Sequence, residues 1–389
     1  MVQDMQDQMV RSFWEQAGAV LSGIPESGSG LLNHVGAEIE VYLAKQGTGI
    51  NGIPTELASV DLTQQVISET LEAGSELGGG SVELNPPPLR LETSLCFENL
   101  LRYLKFYEDT LRGRVREYGL EVRRSGTIPD VRAQNLLPAT KDKYTKVPDF
   151  HRTKRFGFWG HLNGVDLRDP MVVGLCHAFQ INVEAASQEE AVDVLNRMFV
   201  ITPMALALGH NARYLHGRDT GFADVRNIAW RISHDTRSWK EVITRKYLRV
   251  GLPQNYFRNM EHYLSEVASY PFILNHPEAA LAIGIGLFWR DARIKFIKGV
   301  PVVEFRPLST QPTLRKEIAL TAFVLGRLYW SIDCRERLSS MSKIRKLKRT
   351  AECYGFFPKI EMEIYRAKVG LAYRELYDEG VGRLLDTLL

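Results

Sequence analysis

Residues 34–43, HVGAEIEVYL, alternate as a strand does: Val35, Ala37, Ile39 and Val41 share one face, and Glu38 and Glu40 share the other. Two carboxylates side by side on a strand repel each other unless a cation lies between them, and a divalent metal held by carboxylate oxygens is one such cation. A half-exposed strand with a wet acidic face satisfies the same pattern. The constraint on the fold comes from recurrence. In SVELNPP Glu83 sits between Val82 and Leu84, in FQINVEAA Gln180, Asn182 and Glu184 share one face, and in VVEFRPL Glu304 and Arg306 do. Four segments far apart in the chain each present oxygen ligands from an otherwise apolar strand, which predicts one acidic surface.

Oxygen ligands without cysteine or clustered histidine suit hard cations, so Mg²⁺ or Mn²⁺ is expected over zinc. Arg306 beside Glu304 either reaches a transferring phosphoryl group from the side opposite the metal or simply pairs with Glu304. His177 precedes Gln180 by three and faces the opposite side of a regular strand, as a core histidine; His210 and His216 show no ligand spacing. Cys96, Cys176, Cys334 and Cys353 lie far apart with no CxxC pair, so reduced thiols and no disulfide are expected.

The strands are dispersed among long helical stretches without regular strand–helix alternation, which argues for α+β over a doubly wound sheet. Helical spacing covers 3–22, 61–73 and 91–118; Ser187 and Glu190 open another helix as a capping box, and the chain is mostly helical from 311 onward. LEVRRSGTIP reads as a strand, RIKFIKGVPVVEFRPL as a hairpin, and the basic, aromatic stretch 140–160 as a loop over a site. The expected division is an N-terminal helix and linker (1–30), a catalytic domain (31–335) and a C-terminal helical segment packed on it (336–389).

GSG at 28–30 follows a helix and precedes a strand, the wrong order for a nucleotide-binding glycine loop. The net charge of +3 is too small to make nucleic acid a default partner. RERLSSMSKIRKLKRT, with the basic stretch at 144–159, keeps polyanion (RNA) binding as a rival, but its Leu338, Met341, Ile344 and Leu347 recur at helical spacing, as in a solvated amphipathic helix. No apolar run reaches the roughly 18 residues of a membrane span, and the N-terminus lacks a signal pattern, so a cytoplasmic protein is expected.

Together these segments resemble the glutamate-cysteine ligase family, in its plant and actinobacterial branch, a relative of glutamine synthetase in fold. GAEIE is similar to the family's G-x-E-x-E strand, ELGGGSVELNPP to its E-P-G-G-Q-x-E-L segment with Leu77 at the proline, and FQINVEAAS to Q-V-N-x-D. DVRNIAWRISHDTR is similar to S-R-x-x-x-W-x-x-x-D-P-x-R, and VVEFRPLSTQP to L-E-x-R-x-x-D-x-Q-P. The resemblance implies a curved antiparallel sheet, a funnel flanked by helices, with ATP and two or three Mg²⁺ or Mn²⁺ ions at its mouth.

It further implies ATP-dependent amide formation through an acylphosphate, with glutamate and cysteine as the expected pair, as in glutathione biosynthesis, or the same chemistry on a different carboxylate or amine. Amino acids and ATP would be the partners, with no nucleic acid and no membrane. Glu38, Glu40, Glu83, Gln180 and Glu304 would hold metal; Arg306, Glu304 and Glu38 would act in catalysis, with Glu40 and Arg306 at ATP. Arg226, Asn182 and Trp230 would bind substrate; the alternative for Arg226 is a surface ion pair with Asp224 or Asp219. Ser309 stands where relatives often carry aspartate, and Gln180 where some carry histidine, so the two substrates stay open.

Overall fold

The computed structural model describes residues 2–28, 34–50, 52–139, 141, 143–154, 160–243 and 248–389. Its strands in chain order are β1 (His34–Lys45), β2 (Ala73–Ser75), β3 (Ser81–Leu84), β4 (Leu89–Arg90), β5 (Leu120–Arg123), β6 (His161–Leu162), β7 (Val165–Asp166), β8 (Phe179–Glu184), β9 (Tyr214–Leu215), β10 (Arg218–Asp219), β11 (Ala292–Ile297) and β12 (Val300–Phe305). Eight of them make one antiparallel sheet in the order β11-β12-β8-β1-β3-β2, with β4 and β5 also paired to β1; β6–β7 and β9–β10 are separate ribbons.

β1 is the hub because its twelve residues leave room for four partners, which pair with successive parts of its length. The register then does what chain proximity cannot. Glu38 lies opposite Gln180, Glu40 opposite Glu83, Glu304 opposite Asn182, and Arg293 opposite Glu304. The polar positions of four strands thus fall on one surface, while Val35, Ala37, Ile39, Val41 and Leu43 are buried on the other beside Val82, Phe179, Ile181, Val183 and Val303.

The helix Gln188–Gly209 belongs to that core. Ser187 caps it by accepting from Glu190 N at 3.1 Å, and the Glu190 carboxylate returns to Ala186 N at 2.6 Å, one residue earlier than a capping box requires. Contrary to the sequence expectation, this helix is long and apolar enough to cross a membrane, yet 89% of its apolar window is buried. Composition alone does not separate a core helix from a span.

Four more helices close the chain: Leu314–Asp333, Met341–Tyr354, Ile360–Ala372 and Glu379–Asp386. Met341, Ile344, Ala351, Ile364, Ala367, Leu371 and Leu385 all join the core cluster that includes β1. Of the basic run at 335–350, Lys348 is buried on Asp291 at 2.6 Å and Arg345 donates to the Pro253 carbonyl at 2.8 Å, while Arg335, Arg337, Lys343, Lys346 and Arg349 are exposed.

Two expectations need correction. Within 140–160, Lys143–Lys154 is a helix and not a loop; Pro148 inside it and the lack of an amphipathic stripe hide it from pattern reading, and 155–159 lie outside the described residues. The segment 61–73 is helical only over Val60–Ser68, after which the chain turns into β2. The 30/31 boundary also lies outside the described residues.

Candidate active site

The polar side of the sheet forms the floor of a cavity of about 570 Å³. β1, β3, β8 and β12 contribute Glu38, Glu40, Glu83, Gln180 and Glu304; the helix Arg226–Ser233 contributes Arg226 and Trp230; the helix Lys143–Lys154 covers it with Tyr144 and Val147. Tyr144 is fixed by its hydroxyl, which donates to the Ser75 carbonyl at 2.5 Å. Every residue that the sequence marked for metal, catalysis or substrate lines this cavity, except Asn182. Asn182 donates to Glu38 at 2.9 Å and lines a neighbouring cavity.

The acidic floor divides into two chemically different ends. At one, oxygens of Glu40, Glu76 and Glu83 lie within 4.8 Å of one another. Glu76 enters from the β2–β3 turn, where a Cβ on Gly78 would lie 2.5 Å from the Gly174 carbonyl oxygen, so only glycine lets the turn pack so closely. Burial pushes Glu40 up to about 7, against the pull of Arg226. Burial and then the charge of Glu76 push Glu83 up to about 8, and burial with the charge of Glu40 raises Glu76. Their partners are neutral donors: Ala178 N at 2.6 Å and Gln180 Nε2 at 2.9 Å on Glu40, and Asn85 Nδ2 at 2.5 Å on Glu83. Three crowded carboxylates with raised pKa values are the donor set a hard divalent cation takes, so this end fits Mg²⁺ or Mn²⁺.

At the other end the chain provides its own cations. Glu304 is fully buried and touched by Arg293 at 2.5 Å, by Lys295 at 2.8 Å and by Arg306. Burial opposes its ionisation, but these three charges outweigh burial and hold Glu304 well below the usual carboxylate range. Lys295 also reaches Glu38 at 2.5 Å. Glu38 is raised by burial and by Glu304, with Lys295 pulling the other way.

Gln180 joins the ends, its amide oxygen accepting from Arg306 at 2.6 Å and its nitrogen donating to Glu40. Arg226 is buried and makes neither of the surface pairs considered for it: Asp219 pairs with Arg213, and Asp224 accepts from the Ser309 hydroxyl at 2.6 Å. Arg226 Nη1 instead donates to the carbonyls of Arg306 and Pro307 at 3.2 and 3.3 Å, and its buried Nε has no partner among the described residues. His177 is buried off this floor, stacked on Tyr42 and bonded to Ser81 at 2.9 Å, as a core histidine should be; burial pushes it down to about 3.

Sequence reading missed Glu76, Arg293 and Lys295. The last two alternate in ARIKFI with the period that exposed the acids, but with opposite sign. It also missed the wall formed when His234 and Trp289 pack at tilted and edge-on angles around Trp230, with ring centroids 4.8–5.5 Å apart. Beyond Lys295 lies a second cavity of about 470 Å³, walled by Pro86, Pro88, Ile297, Val300 and Val302, with the His34 ring against Glu184. Glu38, Asn85 and Lys295 line both cavities.

Comparisons with known proteins agree with this geometry. Two solved structures have the same fold: a glutamate–cysteine ligase from Francisella tularensis in complex with AMP (TM-score 0.57, 13% identity, 94% of this chain and 83% of that one) and a bifunctional glutathione synthetase from Pasteurella multocida (TM-score 0.60, 10% identity, 92% and 47%). The fold is therefore glutamine-synthetase-like, a curled antiparallel half-barrel flanked by helices. A Paenarthrobacter aurescens protein with the provisional name glutamate–cysteine ligase 2-1 is 27% identical over 307 residues, 75% of this chain but 65% of that relative's length. The model of glutamate-cysteine ligase family 2 matches residues 34–334, from the first residue of β1 to the end of the helix that follows β12. With the acidic strands of the cavity floor all inside that match, the chain belongs to glutamate-cysteine ligase family 2.

Proposed function

We propose that this protein is an ATP-dependent carboxylate–amine ligase that forms an amide bond through an acylphosphate, with glutamate and cysteine as the first pair to test. One observation carries the reading: a cluster of cation-deficient carboxylates and the guanidinium groups of Arg226, Arg293 and Arg306 face the same cavity. Joining a carboxylate to an amine is uphill in water, so the carboxylate must first receive a good leaving group, and a phosphoryl group from ATP serves. That transfer needs charge neutralisation from several sides and little else from the protein.

Glu40, Glu76 and Glu83 would hold Mg²⁺ or Mn²⁺, which supplies neutralising charge to the phosphates of ATP. Arg306, fixed by Glu304 and Gln180, faces the same space and would stabilise the phosphoryl group in transfer. Arg226 would hold a substrate carboxylate with the part of its guanidinium that faces the cavity, its Nη1 being held on the Arg306 and Pro307 carbonyls. Trp230, Trp289 and His234 would exclude water from the acylphosphate, and His234 suits that wall because burial, with His151 and Arg249 nearby, keeps it neutral. The apolar second cavity would take the base of the nucleotide, leaving the first for the amino acids.

The size of that aromatic wall favours a second reading, the same chemistry with a bulkier, less polar amine than cysteine. Phosphate release from ATP with a panel of amino acids, singly and in pairs, tests both. A strong signal for glutamate with cysteine alone establishes the first; another pair establishes the second; no pair giving release contradicts the ligase reading.

A further inference from the structure

The two ends of the cavity floor differ in where their counter-charge comes from. β11 and β12 pair with Arg293 opposite Glu304 and Lys295 opposite Val302, so two cations two residues apart on β11 flank the innermost acid of β12. Glu38 reaches the same place from β1, across β8, where Asn182 lies opposite both Gly36 and Glu304. The Lys295 ammonium stands between the two carboxylates, 2.5 Å from Glu38 and 2.8 Å from Glu304. Those are direct ammonium–carboxylate contacts, and the position they define is the one a bridging ion would need. Arg293 and Arg306 complete the set, giving two carboxylates three cations of the chain's own. At the other end, among the described residues, no ion pair of 4.0 Å or less forms on Glu40, Glu76 or Glu83.

We propose that Lys295 is a built-in counter-cation that closes the Glu38–Glu304 end of the floor to divalent metal and confines metal binding to Glu40, Glu76 and Glu83. This rests on the ligase reading for its purpose, but not for its test. Glu38 and Glu304 therefore do not serve as ligands in this chain, although the family resemblance marks both. The substitution has a chemical consequence. A lysine ammonium brings one positive charge that neither dissociates nor depends on metal concentration, and it lines both cavities, where it meets whatever passes between them.

Counting bound Mn²⁺ by the loss of the free-ion EPR signal tests the proposal without any substrate. Lys295→Met removes the ammonium from between Glu38 and Glu304 and leaves Glu38 without a cation, with Arg293 and Arg306 still on Glu304, so the variant should bind one more Mn²⁺ per chain than the native protein. The double variant Lys295→Met with Glu38→Gln should return to the native count. An equal count in native and Lys295→Met proteins overturns the proposal. Glu38→Gln alone, with Lys295 in place, gives a second reading that stands if Lys295→Met does not fold. Native count and affinity support the proposal, whereas loss of one ion overturns it. A native protein that binds no Mn²⁺ at all counts against the ligase reading, while the difference between native and Lys295→Met still decides the role of Lys295.

Discussion

Gln180 accepts a hydrogen bond from Arg306 at 2.6 Å and, through the other end of the same amide, donates to Glu40 at 2.9 Å. One neutral side chain thus couples a half-buried guanidinium to a buried carboxylate. Leucine at this position fills similar space but leaves both groups without that partner. Gln180→Leu should lower stability by about 1–3 kcal/mol, the usual cost of an unsatisfied buried polar group. Urea unfolding should show a lower midpoint at unchanged slope; a native midpoint would mean that the bridge contributes nothing.

The carboxylate cluster makes pH and metal interdependent. Glu40 and Glu83 are raised from 4.5 to about 7 and about 8, so between pH 5 and 8 the folded chain holds protons that the unfolded chain has released. The sign follows directly: the metal-free protein loses stability as pH rises through that window. Bound cation requires the ionised carboxylates, so binding expels protons and tightens over the same range. Mn²⁺ affinity should rise at least about tenfold from pH 6 to pH 8, since each proton displaced contributes up to a factor of ten per pH unit. An affinity that does not change with pH would place the metal elsewhere.

Arg226 has two jobs that one substitution separates. Its Nη1 holds the Arg306 and Pro307 carbonyls, and its side chain lines the cavity. Arg226→Lys loses the planar fork, so KM for the carboxylate substrate should rise by roughly tenfold while KM for ATP stays near native. A lowered melting temperature with both KM values unchanged would make Arg226 purely structural.

How far the sequence discloses this site depends on the length of each strand. β1, β8 and β12 are long enough for period-2 alternation to emerge, so Glu38, Glu40, Gln180, Asn182 and Glu304 are legible from the order of residues alone. β2 is three residues, Ala-Gly-Ser, with no alternation to read, so Glu76 is marked only as the first residue of the ELGGGSVELNPP match, which gives it no place in the acidic cluster. Arg293 and Lys295 do alternate, but strand cations are ordinary on a solvated face, and only the β11–β12 register shows that they point at Glu304. Partner identity is a long-range fact, and it decides which acids keep room for a metal.

The close of the chain gives a stability prediction independent of the site. A Cβ on Gly370 would lie 1.9 Å from the Gly326 carbonyl oxygen, because the helices Leu314–Asp333 and Ile360–Ala372 touch backbone to backbone. Gly370→Ala must push them apart, and overpacking of this kind costs typically about 1–3 kcal/mol, more where backbone cannot give. Thermal unfolding should show the loss, and an unchanged melting temperature would mean that the helix pair is not held this closely.

The central claim, that a carboxylate is activated by phosphorylation, is tested most directly by following oxygen. With the carboxylate substrate labelled in both oxygens with ¹⁸O, phosphoryl transfer to one of them and displacement by the amine must leave one ¹⁸O in each phosphate released. Mass spectrometry of the phosphate should therefore find one labelled oxygen per turnover, with the other retained in the amide. Label appearing in AMP would reveal activation by adenylation, and phosphate free of label during amide formation would contradict the account outright.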